Sequence, residues 1–323
     1  MITLEGIFMQ LTNANLQYYD SNVLRLAATK RTEYHTQVNN LIKKLSKEIT
    51  DQSELKIIRV VKAGSFAKYT ILKKTSENQI DVDLVFYIDD ENHNSDSFND
   101  LIKLIEKLLI KIYPNKSVED FVIQTKATSI KFISSGLDVD VVPVIQDTDN
   151  SDHGWQYDIN TGAKSLTCAP CHIKFVQDRK DKDKHYRTLV RMAKRWRDRA
   201  KPKGLKSFHI ELILAFIQDS KGPTVNIEER FRAFLLYIAQ NNLQERIDFD
   251  ENSSETQISF YDPVVIVDPA NHRNNVASRI TDSERKEIVE KAEEAWELAN
   301  YASTTGDLKL WKELFGSTFK VED

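Results

Sequence analysis

Apolar and acidic positions alternate strictly in two short stretches of the chain. They are Asp81-Val82-Asp83-Leu84-Val85-Phe86 and Leu137-Asp138-Val139-Asp140-Val141-Val142. A period of two is that of a half-buried strand, so the acids of each pair share one face. Elsewhere the period lengthens. Between residues 23 and 49, Val38, Ile42, Leu45 and Ile49 fall on one helical stripe. Residues 56–61 form a β-branched run that leads into Gly64-Ser65, residues 98–113 read as an amphipathic helix, and residues 129–133 read as a strand. The first twenty residues carry only weak signals. Beyond about residue 160 the strand pattern stops. Residues 173–199, 207–219, 227–241 and 282–302 all carry helical periodicity, Ala200-Lys201-Pro202-Lys203-Gly204 joins two of these helices, and residues 250–256 form a polar loop. The pattern predicts an α+β protein in two parts: residues 1–165 with a mixed sheet and helices, and residues 166–323 as a helical domain.

Composition narrows the class. With 323 residues, 41% hydrophobic and 29% charged, the chain can build one large core or two smaller ones. No apolar run reaches transmembrane length. Met1-Ile2-Thr3-Leu4-Glu5 lacks the basic start and apolar stretch of a signal peptide. Two cysteines do not make a disulfide framework, which points to the cytoplasm. A net charge of −4 argues against a protein that coats nucleic acid, and leaves room for a local basic groove.

The candidate chemistry follows from the acids. A lone Asp-x-Asp is usually a solvated face or a turn boundary. A second one, inside the apolar run 137–144, changes that reading, because buried carboxylates are costly unless a cation relieves them. Two strands aiming carboxylates at one spot make a hard-cation site, and Mg²⁺ is commonly shared between carboxylates and substrate phosphates. Gly64 and Ser65 stand at a turn before the first acidic strand, where backbone N–H groups and a hydroxyl can hold a phosphate. Together these features suggest metal-assisted phosphoryl or nucleotidyl transfer.

Other features are weighed against plainer readings. In residues 187–196 the stripe Leu189, Ala193 and Trp196 is read as buried, which leaves Arg187, Arg191 and Lys194 on other faces. Basic residues outnumber acids between residues 174 and 206, and triphosphates and nucleic acids both attract such charge. Ser207 stands where a helix begins, which suits an N-cap and an anion site. Glu211 is read as structural. Cys168-Ala169-Pro170-Cys171-His172 matches a haem attachment pattern, but nothing else supports haem. A zinc site would need more ligands, and two buried free thiols are expected. His153 and Trp155 either border a base pocket or lie in a polar loop.

The motifs carry a family resemblance. Gly64-Ser65-Phe66-Ala67-Lys68-Tyr69-Thr70, then Asp81-Val82-Asp83, then Val139-Asp140-Val141-Val142-Pro143, resemble the polymerase-β-like nucleotidyltransferase core of the oligoadenylate-synthetase-like enzymes. Residues 189–196, residues 206–212, and Asp268-Pro269-Ala270-Asn271 with Asn274-Asn275-Val276-Ala277 resemble that family's helical half and late loop. The chain is most similar to the bacterial CD-NTases of CBASS anti-phage defence. Residues 136–144, 206–214 and 311–319 resemble the clade that makes cyclic tri-adenylate beside HORMA-domain partners. The likeness runs from about residue 30 to 319. Two departures stand out: Tyr69 where the family usually has Gly, and residues 73–78 as a short insertion.

The resemblance implies a bilobed enzyme that condenses NTPs, ATP foremost, into a cyclic oligonucleotide. It implies Asp81, Asp83 and Asp140 as catalytic metal ligands for two Mg²⁺ ions, with Mn²⁺ able to substitute, and Asp138 outside the set. One ion would lower the pKa of an attacking ribose hydroxyl and the other would steady the pyrophosphate. Gly64, Ser65, Lys68, Lys194 and Ser207 would bind the nucleotide. The implied partners are a HORMA-domain protein, duplex DNA as an alternative activator through the basic segment, and a downstream effector reached through the product, with no membrane. The end of the chain, residues 315–323, leaves the helical pattern and is read as exposed. An RNA 3′-end nucleotidyltransferase of the CCA-adding or poly(A) type, and an antibiotic-modifying nucleotidyltransferase, remain alternatives.

Overall fold

The computed structural model describes residues 11–73, 79–90, 94–222, 226–252 and 256–322. In chain order its helices are α1 (Asn13–Tyr19), α2 (Ala28–Gln52), α3 (Gly64–Ala67), α4 (Ser95–Ile112), α5 (Ala169–Lys182), α6 (Tyr186–Ala200), α7 (Ser207–Lys221), α8 (Ile227–Gln240), α9 (Asp282–Thr305) and α10 (Leu308–Phe315). The strands are β1 (Lys56–Lys62), β2 (Ile80–Asp89), β3 (Phe121–Ile123), β4 (Thr128–Phe132), β5 (Leu137–Gln146), β6 (Gly154–Tyr157), β7 (Lys164–Thr167), β8 (Val267–Asp268) and β9 (Asn271–Asn275). The chain divides into two compact units, one of Leu26–Phe175 and one of Met1–Arg25 with Val176–Asp323.

In the unit Leu26–Phe175, a seven-stranded mixed sheet runs β1-β2-β5-β4-β3, with β6 on the end of β5 and β7 on β6. The strict alternation of β2 sorts its side chains. Ile80, Val82, Leu84, Phe86 and Ile88 enter a core with Val38, Leu41, Leu45 and Ile49 of α2 and Phe98, Ile102, Ile105 and Leu109 of α4. Val139 and Val141 of β5 join the same core. Each such side chain contributes roughly 1.5–3 kcal/mol when fully buried. The opposite face is free for other work. Near the acids it carries carboxylates, and further along it carries a small cluster of Ala63, Val85, Tyr87, Val144 and Ala169. The expected insertion at residues 73–78 lies, beyond Lys73, outside the described residues.

The second unit is mainly helical, and helices of both units differ from the expected ones in places, for physical reasons. The helix expected over residues 23–49 begins only at Ala28, because Asp20–Leu24 forms a π-helical turn. That turn carries Asp20, whose buried carboxylate accepts from Arg191 Nε at 2.5 Å, Arg191 Nη2 at 2.6 Å and Thr188 Oγ1 at 2.9 Å. The helix expected over residues 173–199 is two helices, α5 and α6. Asp183 breaks it: its Oδ1 accepts from His185 N at 2.9 Å, and its Oδ2 pairs with Arg230.

The predicted face of α6 is also too narrow. Leu189, Ala193 and Trp196 are buried, but so are Arg191 and Lys194. Asp20 meets Arg191, Glu211 of α7 meets Lys194, and the carbonyl of Phe315 accepts from Arg195. With Arg179 paired to Asp219 and Glu251 as well, much of the basic segment is neutralised inside the unit.

The end of the chain is not exposed as expected. Phe319 is buried, with its ring 4.7 Å from Tyr19 and 5.6 Å from Phe315. Arg195 Nη2 donates to Thr318 Oγ1 at 3.1 Å, so only Lys320 to Glu322 extend past the packed segment among the described residues. Among the described residues, no helix is long and apolar enough to cross a membrane.

Candidate active site

The parallel register of β2 and β5 sets Asp81 beside Asp138 and Asp83 beside Asp140. Register partners in a parallel pair point to the same side, so the two Asp-x-Asp alternations converge on one face. Carboxylate oxygens of Asp81, Asp83 and Asp140 lie within 4.8 Å of one another. Asp138 falls outside that group, and the antiparallel register puts Lys131 of β4 across from it.

The glycine turn is built against these acids. Ala63 N donates to Asp83 O at 2.8 Å, which staples the end of β1 to β2. Gly64 then takes φ +61°, and a Cβ there would stand 1.6 Å from Asp83 Oδ2. Only glycine fits, since the backbone is left-handed and the carboxylate occupies the side-chain space. The short turn α3 closes with Thr70 N and Ile71 N donating to Ser65 O at 3.0 and 3.1 Å. Tyr69, the departure from the family pattern, also has a positive φ of 60°. Its half-exposed ring lies under the Arg31 guanidinium at 3.9 Å.

The electrostatics of the cluster suit a cation. Burial, then the Asp83, Asp140 and Asp138 carboxylates, push Asp81 up to about 8. A cluster that holds a proton near neutrality through mutual repulsion gains by exchanging it for a divalent ion. The donors are all oxygen, which suits Mg²⁺. Asp140 is oriented by two neighbours that sequence reasoning missed: Gln124 Nε2 donates to its Oδ1 at 3.1 Å, and Ser129 donates to the same oxygen. Ser129 was visible only as part of a strand; its role depends on β4 lying antiparallel to β5 with Ser129 opposite Asp140.

The other expected residues are placed as follows. Gly64, Ser65 and Lys68 belong to the same unit as the acids, and Lys68 is buried. Lys194 and Ser207 belong to the helical unit. Lys194 is buried with its Nζ 2.8 Å from Glu211 Oε1, so the two charges pair inside the helical unit. Ser207 is the first helical residue and not the N-cap, which is Lys206; its Oγ accepts from Arg197 Nη1 at 2.8 Å. The two cysteines are joined as a disulfide and are not free thiols, because Cys-x-x-Cys at the start of α5 folds one sulfur onto the other. Trp155 Nε1 donates to Asp147 at 2.9 Å and its ring lies under Lys164.

Known proteins resemble this chain in sequence and in fold. The profile of the second messenger oligonucleotide or dinucleotide synthetase domain matches residues 9–178. A CBASS oligonucleotide cyclase CdnC of Escherichia coli strain KTE188 is 56% identical over 315 residues, covering 98% of this chain and 99% of that protein. A cyclic AMP-AMP-AMP synthase of E. coli strain MS 115-1 is 33% identical over 310 residues, covering 92% of this chain and 94% of that one. Among solved structures, the CdnC:HORMA-deltaN complex of E. coli MS115-1 superposes with a TM-score of 0.81 at 30% identity, over 96% of this chain and 99% of that one. The same enzyme with ATP gives a TM-score of 0.82 at 30% identity and the same coverage. Vibrio cholerae DncV with a linear intermediate gives 0.71 at 14% identity over 97% of each chain, a likeness of fold.

Proposed function

The chain belongs to the second messenger oligonucleotide or dinucleotide synthetase family and is a CBASS cyclic oligonucleotide synthase; from that premise we propose that it condenses ATP into cyclic tri-adenylate in the cytoplasm. The observation that carries the reading is the convergence of Asp81, Asp83 and Asp140 beside the Gly64 turn. The product is inferred from the relative named as a cyclic AMP-AMP-AMP synthase. A HORMA-domain activator and ATP are inferred from the solved relatives that contain them. The internal pairing of Arg179, Arg191, Lys194 and Arg195 favours a protein activator over duplex DNA.

The residues divide the work. Asp81, Asp83 and Asp140 would hold Mg²⁺, which would supply an activated ribose hydroxyl and charge neutralisation at the pyrophosphate. Ser129 and Gln124 fix the Asp140 carboxylate, so that ligand need not reorganise during the reaction. Gly64 and Ser65 would present backbone N–H groups and a hydroxyl to the donor triphosphate, with Lys68 of the same unit as a further contact. No separate protein base is required.

The test is product formation from the four NTPs with Mg²⁺, with and without a cognate HORMA protein, and with phosphatase added afterwards. A phosphatase-resistant trimer made from ATP alone is expected, and Asp83→Asn with Asp140→Asn should abolish it while the fold persists. A phosphatase-sensitive or primer-dependent product would refute the reading.

A further inference from the structure

We propose that His153, Cys168 and Cys171, once the disulfide is reduced, form a zinc site separate from the carboxylate cluster. The β6–β7 ladder pairs Gly154 with Thr167, and the next position in that register sets His153 against Cys168. The path of His153 is fixed. A Cβ on Gly154 would come within 2.7 Å of Val144 Cγ2, so β6 can lie on β5 only with glycine there. On the other side, His153 N donates to Asn150 O at 2.9 Å and His153 O accepts from Asp147 N at 3.1 Å. Cys168 is fully buried at the end of β7, and Cys171 follows in the first turn of α5. Ligand atoms of the three residues lie within 4.8 Å of one another.

The chemistry fits a borderline-soft cation. Tetrahedral zinc holds two thiolates about 3.8 Å apart, and a thiolate and an imidazole about 3.6 Å apart, from its usual bond lengths. Small side-chain adjustments within this cluster reach those separations. Cys171 N–H donates to Cys168 Sγ at 3.1 Å, so the turn into α5 already wraps around that sulfur. Two thiolates and an imidazole exclude Mg²⁺ and leave a fourth position for water, since His153 and Cys171 are only half-buried.

The redox step balances simply. A dithiol reductant gives two electrons and two protons to the Cys168–Cys171 bond and becomes a disulfide itself. Zn²⁺ then displaces both thiol protons into solvent. Ala169, between the two cysteines, packs with Val85 and Tyr87 of β2 and Val144 of β5. The site therefore braces the strands that carry the acids, and the chain leaves this unit at Phe175.

The experiment uses the full chain, reduced with a dithiol, supplied with Zn²⁺, desalted and analysed for metal, with Co²⁺ substitution as a spectroscopic check. About one zinc per chain is expected, along with a thiolate-to-cobalt charge-transfer band. Cys171→Ser and His153→Ala, both at half-buried positions, should each weaken zinc binding at least about 100-fold. Asp83→Asn with Asp140→Asn should keep the zinc. Thiols that titrate as free with no zinc retained, a disulfide that survives the dithiol, full zinc in Cys171→Ser, or zinc lost with the carboxylates would each overturn the proposal.

Discussion

Replacing Asp81 by Asn should stabilise the metal-free protein, and more so as pH rises. In the folded chain, burial and then Asp83, Asp140 and Asp138 push the Asp81 carboxyl up to about 8 from an ordinary value of 3.8. The folded state therefore holds a proton between those values that the unfolded chain has lost. Stability must fall with rising pH across that window and level off above it. About four units at about 1.36 kcal/mol each set a ceiling near 6 kcal/mol. Asp81 keeps access to solvent, so screening reduces this to roughly 1–2 kcal/mol. For a chain of 323 residues that is roughly 1.5–3 °C in Tm. The assay is thermal unfolding in a chelating buffer from pH 5 to pH 9, for wild type and Asp81→Asn. Wild type should lose Tm towards pH 8 and the variant should not. Millimolar Mg²⁺ should raise the wild-type Tm at pH 8 and leave the variant nearly unmoved. Parallel pH curves for the two proteins, or a variant less stable at pH 8, would refute the electrostatic argument.

Lys194→Ala should cost about 3–5 kcal/mol of stability, because it strands the buried Glu211 charge. Lys194→Met with Glu211→Leu should recover most of it by denaturant unfolding, and a kcat/KM for ATP that recovers too would remove Lys194 from the triphosphate. His209 is held neutral: burial lowers it to about 4, Lys206 N donates to its Nδ1 at 3.2 Å, and its Nε2 donates to Val276 O at 3.0 Å. Its contribution is present above the ordinary 6.5 and is lost as pH falls through that value to about 4. That amounts to up to about 3 kcal/mol, so His209→Gln should flatten the acid side of the Tm profile. Gly64→Ala should lower kcat by at least about 100-fold and stability by about 1–2 kcal/mol, since its Cβ would displace the Asp83 carboxylate. Near wild-type turnover in that variant would mean that Asp83 can move without loss.

Local periodicity made the acids legible. The alternation around Asp81, Asp83, Asp138 and Asp140 fixes which face each side chain takes, and the parallel pairing of β2 and β5 then brings the pairs together. What the sequence hid depends on which element lies beside which. Ser129 and Gln124 reach Asp140 only because β4 runs antiparallel to β5. Likewise His153 meets the cysteines only through the β6–β7 ladder. The helical-stripe rule failed on α6 for the same reason. A stripe assumes one buried face, but Asp20, Glu211 and Phe315 approach α6 from different directions and turn Arg191, Lys194 and Arg195 into interior residues.

These buried charges set a limit on how the helical unit can change in evolution. Removing either partner of Asp20–Arg191 or Lys194–Glu211 leaves a charge without its counterion, so each pair must change together or not at all. The catalytic cluster is under the opposite constraint. There the carboxylates repel, and any single loss relieves the folded chain while damaging the site. Stability selection alone would erode Asp81, Asp83 and Asp140, and it would preserve Arg191 and Lys194. The convergence of all three acids on one face, beside a glycine whose Cβ has nowhere to go, works against folding and so points to function. Arg191 and Lys194 of the basic helix serve folding through Asp20 and Glu211.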